Sequence, residues 1–168
     1  LRDCIINNFT IETQKRRVFS FVFFVLFCGS FSSVFSQKIA VIVPEKNSHS
    51  EKISAQFAEQ LTAMDSDLVG MALKSQTIEN IYNLSLEEAK SLGTAIGCDF
   101  FIILKAENLR RTSFAKPLYF DSYTTVYLVS SRSGRLVFWT LKSFESETVI
   151  NADAQLFSSI PILIDNLK

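Results

Sequence analysis

His49 is the only histidine of the chain and lies in the polar stretch Asn47-Ser48-His49-Ser50. Together with Cys98 it offers the one combination that could make a thiol nucleophile with an imidazole base. The surroundings of Cys98 argue against that chemistry. It sits between Gly97 and the apolar run Phe100–Leu104, where a thiol is buried and inert. His49 reads as a solvated residue at the start of a helix. Neighbouring carboxylates are the second route to chemistry, as a general acid with a general base. Glu87-Glu88 reads instead as the first turn of a helix, and Asp65 with Asp67 as a helix stop. The sequence contains no HExxH, nucleophile elbow or Walker pattern. No catalytic residue, cofactor site or metal ligand is assigned.

A different set of residues suits binding. Arg110, Arg111, Phe114, Lys116, Tyr119 and Tyr123 interleave cations with aromatics over a short span. Arginines and aromatic rings dominate protein interfaces because they bury large surfaces at small entropic cost. The same mixture can hold single-stranded nucleic acid. Charge argues against that use, since the formal net charge is zero. These six residues are therefore the candidate partner-binding set.

Elements must position that set. Lys38–Val43 is a short apolar run that ends at Pro44, as a strand covered on both faces would. Ser48 or Ser50 can cap the helix that follows, which carries Ile53, Phe57, Leu61 and Met64 on one side. Leu68–Leu73 alternates with Val69, Met71 and Leu73 on one side and reads as a second strand. Ile78, Ile81 and Tyr82 suggest a short helical turn. Ser85 with Glu88 forms a capping box, and Gly97 ends that helix in a left-handed conformation. Gly93, four residues earlier, suits close packing.

Asp99–Glu107 reads as the central strand, because five consecutive large apolar residues leave no polar group for a site floor. Arg110–Leu118 is a basic loop. Tyr119–Ser131 and Arg135–Glu145 form a hairpin around Gly134. In the second strand, Leu136 and Phe138 face opposite to Val137 and Trp139. Ala152–Leu167 is a helix that Pro161 should kink or divide. The order is β-α-β-α-β-β-β-α, an α/β fold in a single domain with a mixed sheet of about five strands.

The start of the chain obeys a different grammar. Lys15-Arg16-Arg17 precedes the apolar stretch Val18–Cys28, and small residues follow up to Val34-Phe35-Ser36. That is the order of a signal peptide, with cleavage expected after Ser36. Residues 1–36 form the leader and residues 37–168 the domain, with no structural role given to residues before Lys15. The alternative is an inner-membrane anchor over residues 18–35, although the apolar core is short for a span of about 20 residues. Removing the leader leaves 132 residues with 13 basic and 15 acidic side chains. Cys4 and Cys28 leave with it, so Cys98 has no partner for an internal disulfide.

The stretches "EAKSLGTAIGCDFFIIL" and "YTTVYLVSSRSGRLVFW" resemble bacterial envelope α/β domains of the TolB-N-terminal, CsgG and LpoB kind. The matching positions are Leu92, Gly93, Gly97 and Asp99 at the helix-to-strand junction, and Val126–Trp139 in the hairpin. More narrowly, "IGCDFFI", "RRTSF", "SSRSGRLVFW" and "SFE" resemble the N-terminal domain of certain TonB-type energy transducers. Such proteins continue into a linker and a receptor-binding domain, so the resemblance extends to the accessory domain alone. It implies an exported, periplasmic, non-enzymatic interaction module with an envelope protein as partner. It implies no cofactor, no nucleic acid, and membrane contact only through an uncleaved leader. A small exported enzyme and a small-molecule sensor domain stay open as alternatives. Either would need a concave pocket with convergent polar groups.

Overall fold

The computed structural model describes residues 37–167. The leader, its cleavage point after Ser36 and the anchor alternative over residues 18–35 lie outside the described residues. The first strand, β1 (Ile39–Ile42), is followed by three helices: α1 (Ser48–Gln60), α2 (Ser66–Lys74) and α3 (Leu86–Ile96). The long strands β2 (Phe100–Arg111), β3 (Tyr119–Ser130) and β4 (Leu136–Ser146) come next, and α4 (Val149–Asp165) ends the domain. The sheet has the order β1-β2-β3-β4, with β1 parallel to β2 and the other pairs antiparallel. This is the expected α/β fold with a mixed sheet, but with four strands instead of five.

The strand expected over Leu68–Leu73 is the helix α2. The Asp65 carboxylate accepts hydrogen bonds from the backbone N–H groups of Asp67 and Leu68, which caps a helix. Asp65 thus starts a helix where the sequence suggested a stop. Val69 is buried and Ala72 and Leu73 are packed against the core, whereas Leu68 and Met71 are exposed. The three-and-four spacing prevails over the alternation. No helix forms at Ile78–Tyr82; those side chains pack on the core from turns.

Other caps follow the sequence more closely. Asn47, not Ser48 or Ser50, caps α1, and Ser50 completes a capping box by accepting from the Asn47 N–H. Ser85 and Glu88 form the expected box on α3, and Gly97 ends that helix with φ of 78°. Gly134 has φ of 69°, and a Cβ there would meet the Leu86 carbonyl oxygen at 2.2 Å. The hairpin turn therefore rests on the first turn of α3. α4 runs through Pro161 as one helix.

Side chains of β2 divide between two cores. Phe101 and Ile103 pack with Leu92, Ile96 and Val129, while Ile102, Leu104 and Ala106 pack with Phe57, Leu156 and Ile160. α1 and α4 cover the second face, α4 lying on β3 and β4. α2 and α3 cover the β1–β2 side of the first face. There, Trp139 and Leu141 of β4 remain 57% and 52% exposed. β4 also carries an irregularity: Leu128 pairs with Phe138 but Val129 pairs with Leu136, so Val137 bulges. The bulge breaks the simple alternation expected over Leu136–Trp139.

Two glycines test this packing. A Cβ on Gly93 would lie 2.3 Å from the Ser131 Oγ and 2.9 Å from the Ser131 Cα, whereas one on Gly70 meets nothing within 4 Å. Gly93→Ala is expected to destabilise by about 1–3 kcal/mol through overpacking. Gly70→Ala, inside α2, is expected to stabilise by roughly 0.5–1 kcal/mol. Urea unfolding of both variants checks the opposite signs; equal effects would contradict the close approach of α3 to the hairpin.

Candidate functional site

The candidate residues gather at the free end of the β2–β3 hairpin. Arg110 and Arg111 belong to β2, not to the loop, and pair in register with Phe120 and Tyr119. Strand pairing continues past the apolar run because the two strands are equally long. The residues do not all remain free to bind. Arg111 Nε donates to Asp121 Oδ2 at 2.9 Å, and Lys116 Nζ donates to Glu145 Oε2 at 2.6 Å. The Lys116 ammonium also stands over the Tyr119 ring at 5.3 Å. The Tyr123 hydroxyl donates to Glu107 Oε2 at 2.8 Å. Burial, and then this bond to Glu107, pushes the Tyr123 phenol up. Phe114 is fully exposed in the connecting loop, and Arg110 is exposed with no side-chain partner among the described residues.

Tyr123 leads onto the uncovered side of the sheet. Register places Glu107, Tyr123 and Ser143 in one row, Thr125 beside Leu141, and Tyr127 beside Trp139. The Tyr127 and Trp139 rings lie 6.4 Å apart and nearly parallel, with Tyr82 at 6.4 Å on the other side of Tyr127. Lys105 Nζ is 3.2 Å from Glu45 Oε2 and 3.6 Å from Glu107 Oε1. The Glu45 carboxylate, by hydrogen bonding, holds the Lys105 ammonium above its usual value. The result is an aromatic row with a charged border, open to solvent over β3 and β4. The sequence carried one signal of it: "LVFWTL" is apolar on both strand faces, more than one covered face can use.

His49 departs from expectation. Its side chain is 18% exposed, and its ring stacks on Phe157 with centroids 5.7 Å apart. Its Nε2 lies 2.8 Å from Asp153 Oδ1. The approach does not meet the geometry of a ring N–H hydrogen bond. Asp153 Oδ1 also accepts from Asn108 Nδ2 at 2.6 Å and Ser122 Oγ at 2.8 Å. The helix α1 could not be placed against α4 from sequence, so this pairing was not legible.

Serine, histidine and aspartate are all present there, but in the wrong order for nucleophilic catalysis. In a nucleophile triad the imidazole stands between the hydroxyl and the carboxylate. Here the carboxylate is the centre, and the Ser122 hydroxyl is fully buried. The cluster ties α1 and α4 to β2 and β3. Burial pushes the Asp153 carboxyl up, but the His49 contact and the Ser122 and Asn108 donors outweigh burial and hold it below its usual value. Cys98 is buried, with Sγ 3.4 Å from the Ser131 Oγ, and burial pushes its thiol up.

A cleft lies elsewhere among the described residues. About 990 Å³ opens between α1 and α2 beside β1, lined by Val41, Pro44, Ala58, Val69, Gly70 and Leu73 among others. Lys46, Glu51, Asp67 and Lys74 also line it, yet no ion pair or side-chain hydrogen bond joins them. Among the described residues, no group of three or more metal-binding side chains converges. No described helix is long and apolar enough to cross a membrane.

The comparisons bear on the fold. Lipoprotein GNA1162 from Neisseria meningitidis superposes with a TM-score of 0.51, at 17% identity, over 77% of this chain and 99% of that one. The chain is similar in fold to this bacterial lipoprotein. The LpoB C-terminal domain from Salmonella enterica aligns at 8% identity over 73% of this chain and 92% of that one, with a TM-score of 0.42. Hypothetical protein CT253 from Chlamydia trachomatis gives 12% identity, 66% and 72% coverage, and a TM-score of 0.38. No family model and no curated protein matches the chain. The likeness to GNA1162 agrees with the α/β fold that the helix-to-strand junction and the hairpin implied.

Two measurements test these assignments. Because its folded-state pKa is lowered, Asp153 contributes stability above the usual aspartate pKa, and that stability is lost as pH falls through the lowered value. The gap in unfolding free energy between wild type and Asp153→Ala should therefore narrow as the solution is acidified. At neutral pH the gap should be about 1–3 kcal/mol, since Ser122 and Asn108 lose their acceptor. Separately, a thiol reagent should label Cys98 slowly in the native protein and quickly in urea; rapid native labelling would contradict its burial.

Proposed function

We propose that this chain is an exported, non-enzymatic interaction module of a bacterial envelope, which holds a protein partner on the uncovered face of its sheet. The observation that carries this reading is the pair Trp139 and Leu141, left exposed where α2 and α3 stop, with Trp139 continuing the half-buried row Tyr82–Tyr127. Exposed apolar surface bordered by charges marks a contact site in a soluble domain. The partner would present apolar side chains to the row and charges to Lys105, Glu45 and Glu107.

The fold likeness to a bacterial lipoprotein supports the location, together with the leader grammar. The motif resemblance to energy transducers supports placing the partner among envelope transport components. Phe114 remains available in the loop at the hairpin end, whereas Arg110 shares its parity with Ala106 and Asn108 and lies on the opposite face of the sheet, so the sequence candidates adjoin the proposed surface more than they form its centre.

A photo-cross-linking residue at Thr125, on the middle of the face, should capture one defined envelope protein in cells. Trp139→Ala should abolish that capture with a stability change within roughly 0.5 kcal/mol, as for other surface changes. Capture from Phe114 but not from Thr125 would move the site to the hairpin end. Capture from neither position would overturn the reading.

A further inference from the structure

The sheet has two edges, and they are not alike. β1 has four residues, and the Met64 N–H already donates to the Ile39 carbonyl on its outer side. β4 has eleven residues and, among the described residues, has a strand, β3, on one side only. Alternate backbone groups of β4 therefore point outward without a strand partner. Monomeric proteins protect such edges with proline, repeated charge or short length. β4 has no proline, and Lys142 and Glu145 are its only charges. Its bulge at Val137 lies towards one end and leaves residues 138–144 regular.

We propose that β4 pairs with β4 of a second copy of this chain, antiparallel about a two-fold axis, with Leu141 opposite Leu141. Three observations select a second copy as the occupant. The first is register. Two-fold pairing through Leu141 sets Trp139 against Ser143 and Phe138 against Phe144, and puts Thr140 against Lys142. No like charges stand directly opposite each other, whereas a shift that centres the dyad on Lys142 would oppose two ammonium groups. A centre on Thr140 would bring the Val137 bulge into the ladder sooner and shorten it.

The second is continuity of the core. Phe138 and Phe144 already pack against the cluster under α4. The pairing extends that cluster across the axis, while Leu141 does the same on the open face. The third is the surface of α4, which lies on β3 and β4. Val149, Ile150 and Ile162 are exposed, and the helix has no lysine, arginine or glutamate. With a formal net charge of zero, the chain also has little self-repulsion. The dimer would contain a continuous eight-stranded sheet.

The proposal shares Leu141 and Trp139 with the partner-binding reading, but its readouts, chain mass and self cross-linking of the purified protein, do not depend on the partner. Light scattering of the purified protein should give twice the chain mass. Leu141→Lys, at a half-exposed position, should give a folded monomer, verified by an unchanged circular dichroism spectrum. Residues opposed across an antiparallel pair lie about 4.5–5.5 Å apart, within disulfide reach. With Cys4 and Cys28 replaced by serine, Leu141→Cys should therefore cross-link to itself under mild oxidation. Ser143→Cys should cross-link only when mixed with Trp139→Cys. A monomer at every concentration would overturn the proposal, including one that takes up an extended peptide on β4. So would a dimer that survives Leu141→Lys and does not cross-link through position 141.

Discussion

Between Phe101 and Ala106, side chains of both parities on β2 are buried, except for Lys105. A strand dry on both faces can satisfy its backbone only with other strands, so it must lie inside the sheet. β1 takes one side and β3 the other. Two helical layers are then needed, one for Phe101 and Ile103 and one for Ile102, Leu104 and Ala106. The junction before β2 fixes its entry. Gly97 turns the chain in a left-handed conformation, the Asp99 N–H donates to the Lys38 carbonyl, and the Ser131 N–H donates to the Asp99 carbonyl. Helix end, first strand and hairpin turn are thereby locked to one another before the long strands begin.

The two layers are unequal, and that inequality is where the proposed contact surface arises. α1 and α4 extend over all the strands of their face. α2 and α3 are short and sit towards β1, so their layer ends near Tyr127. The hairpin continues beyond it, still carrying Trp139 and Leu141. A sheet face left open in this way is normally polar along alternate positions. Here the open positions mix Tyr, Thr, Trp and Leu with the Lys105–Glu45–Glu107 charges, a composition that suits the proposed contact surface.

Much of the fold was legible because local signals agreed with the tertiary demand. The Ser85–Glu88 box, Gly97, the apolar run of β2 and Gly134 each have one local solution, and each appears. Residues 68–73 failed because a six-residue window satisfies both an alternating pattern and a helical one. The deciding information was the Asp65 cap, which was assigned to the end of the preceding helix. His49 failed for another reason. Its environment comes from Asp153 and Phe157 on α4 and Asn108 on β2, all distant in sequence. The candidate binding residues were legible as a composition, but their internal partners Asp121, Glu145 and Glu107 depend on strand register. Register became fixed only once the hairpin was built.

Face and edge are compatible as binding surfaces for a geometric reason. An added strand hydrogen-bonds in the plane of the sheet, so it lengthens the open face without covering it. A partner on the aromatic row approaches along the normal to that plane. Pairing through β4 would bring the two open faces to the same side, since a two-fold axis through an antiparallel pair runs perpendicular to the sheet. Each Trp139 would then lie near the axis, with the two aromatic rows running outward from it. A partner presenting two copies of its own contact segment would gain effective concentration at the second site without any new contact. Stacking two domains face to face would have the opposite effect, because Tyr127, Trp139 and Leu141 would be consumed by the dimer. The open edge and the open face are therefore best used in different directions, one for the second copy and one for the partner.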